Sequence, residues 1–202
     1  MAKSSQKRNA PSAERNKVPI GKHLVQLMPQ GAHVLEIASG TGQHGAYFTE
    51  IRPDIIWQYS DIDMTVHESQ RAYAKENTRQ LKFPLQLNVT QENWWHNIAP
   101  VTNIYCANMI HIAPWQAVIG LAKGAGKLLG AGNNLFLYGP FLLGKASAQS
   151  NLNFAENLKQ RNRAWGVREL VDVEQLFIDN GFKLKQQIPM PRDNSLLVFR
   201  KN

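Results

Sequence analysis

Glu36, the glycines Gly40 and Gly42, and Asp61 are the residues of this 202-residue chain whose types and spacing could do chemistry together. Glu36 stands inside the apolar run Val34-Leu35-Glu36-Ile37, and the small residues Ala38, Ser39, Gly40, Thr41 and Gly42 follow at once. Glycines in such a turn let the backbone adopt positive φ and bring amide groups close to a ligand. A helix start behind the turn adds partial positive charge. The stretch reads as a ligand cradle. Two ligands compete for it. Gly40-Thr41-Gly42-Gln43-His44-Gly45 satisfies the dinucleotide pattern G-x-G-x-x-G. Glu36 argues the other way, because a carboxylate suits an ammonium group and repels a pyrophosphate. Asp61, about 20 residues beyond Gly42, is placed to accept both hydroxyls of a ribose, whichever cofactor carries it.

Further along, His111 lies in Asn108-Met109-Ile110-His111-Ile112. An imidazole titrates near neutrality and can take a proton from a substrate. Tyr138 ends another apolar run and offers a hydroxyl to orient an acceptor. Asn88, beside Val89, can accept a hydrogen bond from an amine such as that of adenine. Asp63 reads as a helix cap. Cys106 is the single cysteine, so no internal disulfide exists, and its apolar setting makes it an inert buried thiol. No His/Cys/Asp/Glu group has metal-ligand spacing, so no metal is expected.

These residues need a scaffold of alternating strands and helices. Hydrophobic patterning predicts a helix over Ser12–Met28, with Ser12 as its N-cap and Pro19 able to divide it. Strands follow at His33–Ile37, Ile55–Ser60, Leu85–Val89, Val101–Ala107 and Asn134–Tyr138, the last closed by Gly139-Pro140. Helices are expected over Gln43–Ile51, Thr65–Thr78, Trp115–Leu129, Asn151–Arg161 and Val171–Asn180, with Gly181 at the last helix's C-terminal cap. Lys183–Ile188 and Ser195–Arg200 read as an antiparallel pair. The expected fold is α/β, an open and mostly parallel sheet with helices on both faces and an antiparallel C-terminal strand.

Length suits a single domain over residues 1–202, with residues 1–11 a disordered basic tail. Residues 1–22 hold much of the net charge of +8, which reads as a solvated tail in preference to a nucleic-acid arm. No apolar run spans a bilayer and no secretory signal is seen, so the expected compartment is the cytoplasm.

Glu36-Ile37-Ala38-Ser39-Gly40-Thr41-Gly42 resembles the acid-x-G-x-G-x-G motif of class I S-adenosylmethionine methyltransferases, with Ala38 at the first glycine. A wider set is similar to one methyltransferase-like family, described as a domain of unknown function and including the animal methyltransferase-like protein twenty-six. It comprises Glu14-Arg15-Asn16-Lys17, Leu35 to His44, Asn108 to Trp115, Leu137 to Pro140, Ser150-Asn151, Phe154, Trp165 to Arg168 and Asn194 to Leu196. The resemblance implies a Rossmann-like, seven-stranded methyltransferase fold, S-adenosylmethionine as cofactor and a small-molecule methyl acceptor. It places Glu36, Ala38, Ser39, Gly40, Thr41 and Gly42 at the cofactor's amino-acid end. Asp61 and Ile62 fall at the ribose, Asn88 and Val89 at adenine, and Asn108 and Met109 at the transferable methyl. Arg15 and Asn16 belong to a helix folded over the cofactor, and Trp165 and Arg168 to a substrate-side lid. His111 and Tyr138 are the candidate catalytic residues. Asn88 departs from the aspartate expected there in relatives. The alternatives are an NAD(P)-binding oxidoreductase and a regulatory protein that binds S-adenosylmethionine or RNA without turnover. No motif fixes an oligomeric state.

Overall fold

A computed structural model describes residues 7–202 of the chain. Helices and strands alternate as α1 (Pro11–Leu27), β1 (His33–Ile37), α2 (Gln43–Ile51), β2 (Ile56–Asp61), α3 (His67–Glu76), β3 (Leu81–Gln86) and β4 (Asn103–Ala107). Then come α4 (Trp115–Leu128), β5 (Asn134–Leu142), α5 (Gln149–Arg161), β6 (Arg168–Glu169), α6 (Leu170–Asp179), β7 (Phe182–Met190) and β8 (Asn194–Lys201). Seven strands follow the order β3-β2-β1-β4-β5-β8-β7, and the two-residue β6 pairs with β5 off that path. β1 to β3 pair in parallel, whereas β8 runs antiparallel to both β5 and β7. The chain has the expected α/β fold, a mostly parallel sheet with an antiparallel C-terminal strand. It divides into two compact units, Met1–Asn88 with Val101–Tyr105, and Val89–Pro100 with Cys106–Asn202.

In the first unit, β1 shows one exposed residue followed by four buried ones, the mark of a strand covered on both faces. Its core gathers Ile20 and Leu24 of α1, Leu35, Phe48, Trp57, Tyr59 and Tyr105, all at most 2% exposed. α1 starts one residue earlier than expected. Pro11 occupies its first turn, where a missing N–H costs nothing, and Ala10, not Ser12, is the N-cap residue. Pro19 does not divide α1, because the buried face of Ile20, Gly21 and Leu24 holds it against α2 through Tyr47 and Ile51. Residues 7–10, which composition assigns to the disordered tail, make hydrogen bonds to α2 and α3. Residues 1–6 of that expected tail lie outside the described residues. β3 falls four residues before its expected start, so Asn88 and Val89 lie beyond its end. Its Pro84 is tolerated because β3 is an edge strand. α3 is preceded by a 3-10 turn, Met64–Val66, and Asp63 caps that turn by accepting from Thr65 N at 2.8 Å.

In the second unit, α4 and the strands β5, β7 and β8 close around Leu121, Ala122, Phe136, Phe177, Phe182 and Phe199. The rings of Phe177 and Phe199 stack at 4.7 Å. Gly139-Pro140 does not end β5. Both residues keep register with β8, opposite Ser195 and Asn194, and the next two pair with β6. Gly181 follows α6 at φ +82°, the left-handed conformation expected of a C-terminal cap. Cys106 is buried as expected. Among the described residues, no helix is long and apolar enough to cross a membrane, and no group of three or more His, Cys, Asp or Glu could hold a metal ion.

Candidate cofactor site and acceptor-side loop

The turn after β1 is shaped by three residues in the left-handed region, Ala38 (φ +55°), Gly40 (+54°) and Gly42 (+88°). It is fastened to β2 on both sides of Ser39, whose N–H donates to Ser60 O at 2.9 Å and whose Oγ accepts from Ser60 N at 3.0 Å. Tyr59 OH donates to Gly42 O at 2.8 Å, directly before α2. Asp61 is 7% exposed at the end of β2. Its Oδ2 accepts from Gly40 N and its Oδ1 from Asp63 N, each at 2.9 Å. A carboxylate has about four lone-pair sites, so acceptor capacity remains after these two bonds.

The glycines do different jobs. A Cβ on Gly40 would meet nothing within 4 Å, so open space lies over its backbone. A Cβ on Gly42 would press on Gln70 at 3.3 Å, and one on Gly45 would lie 2.6 Å from the rings of Trp57 and Tyr59. Gly45 therefore serves helix-to-sheet packing.

Glu36 is 2% exposed and turned inward. Trp57 Nε1–H donates to its Oε2 at 2.8 Å, and His44 Nδ1 lies 3.9 Å from its Oε1. Burial pushes the Glu36 carboxyl up to about 8, against the opposing hydrogen bonds from Trp57 and Ser39. His44, in the first turn of α2, is driven down to about 4, chiefly by burial. Its Nε2 is buried without a partner, while Nδ1 lies 3.3 Å from Tyr105 OH.

Several residues of this network carry no signal in the motif itself. Gln43 accepts from Ala10 N at 2.6 Å and donates to Glu14 Oε2 at 2.8 Å, joining α2 to α1 and the segment before it. Ser69 Oγ donates to Thr41 O at 2.7 Å and accepts from Arg8 N at 2.8 Å. Gln70 Nε2 donates to Gly40 O at 2.8 Å, leaving its Oε1 buried and unpartnered. Ser69 and Gln70 are fully buried in α3, and an adjacent polar pair in a polar helix gives no sign of that in the sequence. Of the other expected cofactor residues, Arg15 is exposed, Asn16 and Asn88 are half-buried, and Val89 is buried. Ile62 is 57% exposed. The structure gathers Glu36, Ala38, Ser39, Gly40, Thr41, Gly42 and Asp61 into one cluster in the first unit.

The second unit carries its own polar cluster. Asn108 takes φ +61°, and its N–H donates to Tyr138 O at 2.8 Å. Met109 is buried and begins the 3-10 turn that holds His111. His111 is 1% exposed, both ring nitrogens lack partners, and its ring meets Phe141 edge-on at 5.4 Å. Burial, helped by the charge of Arg168, pulls His111 down to about 3. A Cβ on Gly139 would fall 2.3 Å from His111 Nε2. The absent side chain makes the space that the imidazole fills. Tyr138, next to it, is 2% exposed. The segment after α5 is tied down on this loop. Gly166 N donates to His111 O at 2.9 Å, Arg168 Nε to Ile110 O at 2.9 Å and Arg168 Nη2 to Ala113 O at 2.7 Å.

Solved methyltransferases share this fold. An O-methyltransferase family protein from Burkholderia thailandensis superposes with a TM-score of 0.81 at 13% identity, over 95% of this chain and 57% of that one. CalO1, a methyltransferase of calicheamicin biosynthesis solved with S-adenosylhomocysteine, gives 0.78 at 12% over 95% and 54%. Human N-acetylserotonin methyltransferase in complex with S-adenosylmethionine gives 0.68 at 12% over 90% and 51%. The chain spans a little over half the length of these structures. The family model "Protein of unknown function (DUF938)" matches residues 7–201, and the chain belongs to that family.

Proposed function

We propose that the chain serves as a single S-adenosylmethionine-dependent methyltransferase domain acting on a small-molecule acceptor in the cytoplasm, where a lone buried thiol suits reducing conditions. The coupling of Gly40 to Asp61 carries the reading: an open glycine backbone and a carboxylate with spare acceptor capacity, joined by one hydrogen bond. The residues fit the cofactor. Asp61 takes the ribose hydroxyls, with Ile62 beside it. Ala38 to Gly42 carry the amino-acid end, and the unpartnered Gln70 Oε1 adds a buried acceptor. Glu36 faces the ammonium. Arg15 and Asn16 on α1 and Asn88 belong to the same reading within the first unit; Val89, Asn108 and Met109 are assigned within the second unit by itself. When bound, the cofactor supplies an electrophilic methyl on a sulfonium.

His111 is the group assigned to hold the acceptor's proton. Its imidazole is neutral throughout the physiological range and both ring nitrogens lack partners, so it can accept a hydrogen bond from an acceptor although burial keeps it a weak base. Tyr138 orients the acceptor, and Trp165 to Arg168 close over His111. Kinship with the animal methyltransferase-like protein twenty-six belongs to the same reading, in which a small molecule is favoured over nucleic acid as partner and no membrane has a part.

Titration calorimetry tests the assignment. Wild type binds S-adenosylhomocysteine, and Asp61→Ala weakens that affinity by about 10-fold or more, the scale of one charged hydrogen bond. Stabilisation by NAD(H) or NADP(H), with no binding of S-adenosylmethionine or S-adenosylhomocysteine, overturns the reading.

A further inference from the structure

Among the described residues, Glu36 is a buried acid with no lysine or arginine in ion-pair reach. At its carboxyl stand Trp57 of β2 and His44 of α2, while Ser39 of the turn and Ser60 of β2 donate to its main-chain carbonyl; one step away are Tyr59 and Asp61 of β2 and Tyr105 of β4. None of these is a lysine or arginine. His44, the one basic group within 4 Å among the described residues, is itself kept neutral by burial and by the charge of Lys17 on α1. Tyr59 is held in its protonated form by burial and by Glu36, and Asp61 adds like charge. Trp57 offers one N–H to Oε2, and His44 Nδ1 lies 3.9 Å from Oε1. An isolated carboxylate in such a place takes up a proton in preference to staying charged.

We propose that Glu36 is a proton-exchange site for the cofactor's ammonium: the ligand-free protein holds the neutral acid, and the arriving ammonium displaces its proton to solvent. The inference rests on the cofactor reading above and adds a stoichiometry to it. The exchange balances, since the neutral acid and a free ammonium become a carboxylate–ammonium pair and one released proton. Burial that penalises the lone carboxylate strengthens the pair once the counter-charge arrives.

The experiment is calorimetry of S-adenosylhomocysteine binding to the full chain in buffers of different ionisation enthalpy, between pH 5.5 and 7.5. Expected are close to one proton released per ligand bound and a dissociation constant that tightens approaching tenfold per pH unit. The probe 5′-methylthioadenosine, which has no amino-acid end, should bind with neither signature. Glu36→Gln should abolish the proton release, whereas His44→Phe should retain it, because the proton sits on the carboxyl. Binding of S-adenosylhomocysteine with flat affinity and no proton release by wild type overturns the exchange and leaves the cofactor reading standing. Loss of the release in His44→Phe also overturns the assignment to Glu36. Absence of binding to both probes at every pH overturns the cofactor reading itself. The wild-type measurement decides alone, so a poorly folded variant cannot protect the idea.

Discussion

Ala38 holds φ +55° in the turn after β1, where an L side chain costs about 1–2 kcal/mol. The bonds of Ser39 to Ser60 and of Gly40 to Asp61, on the residues just after it, hold the turn in place, which is how local strain survives at a ligand loop. Ala38→Gly removes the steric cost and adds about 0.5–1 kcal/mol of unfolded-state entropy, so the net gain is a fraction of the strain. A rise in Tm of about 1–4 °C, read by scanning calorimetry, is the expected result. A fall instead means that the methyl group packs usefully and the strain argument is wrong. The residue scale also shows where sequence reading stops. The turn, Asp61 and Asp63 were legible from type and spacing alone. The inward turn of Glu36 onto Trp57 was not, because its partner comes from a neighbouring strand and no periodicity announces it.

At the scale of elements, β5 is the instructive case. Gly139-Pro140 is a turn signal by local chemistry, and it marks the expected end of the strand. Pairing to β8 carries the strand on, and the glycine is needed for a different reason, the imidazole that stands over it. Gly139→Ala therefore drives a methyl group to 2.3 Å from His111 Nε2 and should destabilise by about 1–3 kcal/mol, as overpacked cores do. His111→Ala in the same chain removes the obstacle. The double variant should recover the steric part of the loss when measured against His111→Ala alone, the backbone cost of a side chain at φ +157° remaining, a coupling that denaturant unfolding resolves. Equal cost of Gly139→Ala with and without His111 refutes the steric account. Other elements differ for kindred reasons. α1 runs through Pro19 because its buried face outweighs one missing bond, and β3 slides toward its N-terminus because an edge strand tolerates Lys82 and Pro84. Where packing and propensity agree, as in β1 and α2, the expected boundaries and the observed ones coincide.

For the whole molecule, three buried groups set how stability responds to pH. The folded chain keeps the Glu36 proton up to about pH 8, whereas an unfolded glutamate releases it near 4.5. That release favours unfolding, so the Glu36 contribution is complete below 4.5 and is lost as pH climbs toward 8. His44 and His111 act in the opposite sense. Their folded values of about 4 and about 3 lie below the ordinary 6.5, so their contributions are complete above 6.5 and are lost as pH falls. Between 4.5 and 6.5 two histidines oppose one glutamate, and stability rises with pH. Above 6.5 Glu36 acts alone and stability falls. The maximum should stand near pH 6.5, measured as Tm at about 0.15 M salt or above, where the exposed part of the +8 charge is screened. Glu36→Gln should flatten the alkaline limb and steepen the rise between 4.5 and 6.5, where the opposing glutamate is gone. His111→Phe should flatten part of the acid limb and leave the alkaline limb intact. A wild-type Tm that keeps rising from pH 6.5 to 8 contradicts the placement of a neutral acid at Glu36. Because this readout needs no ligand, it checks the buried proton separately from the exchange that ligand binding reports.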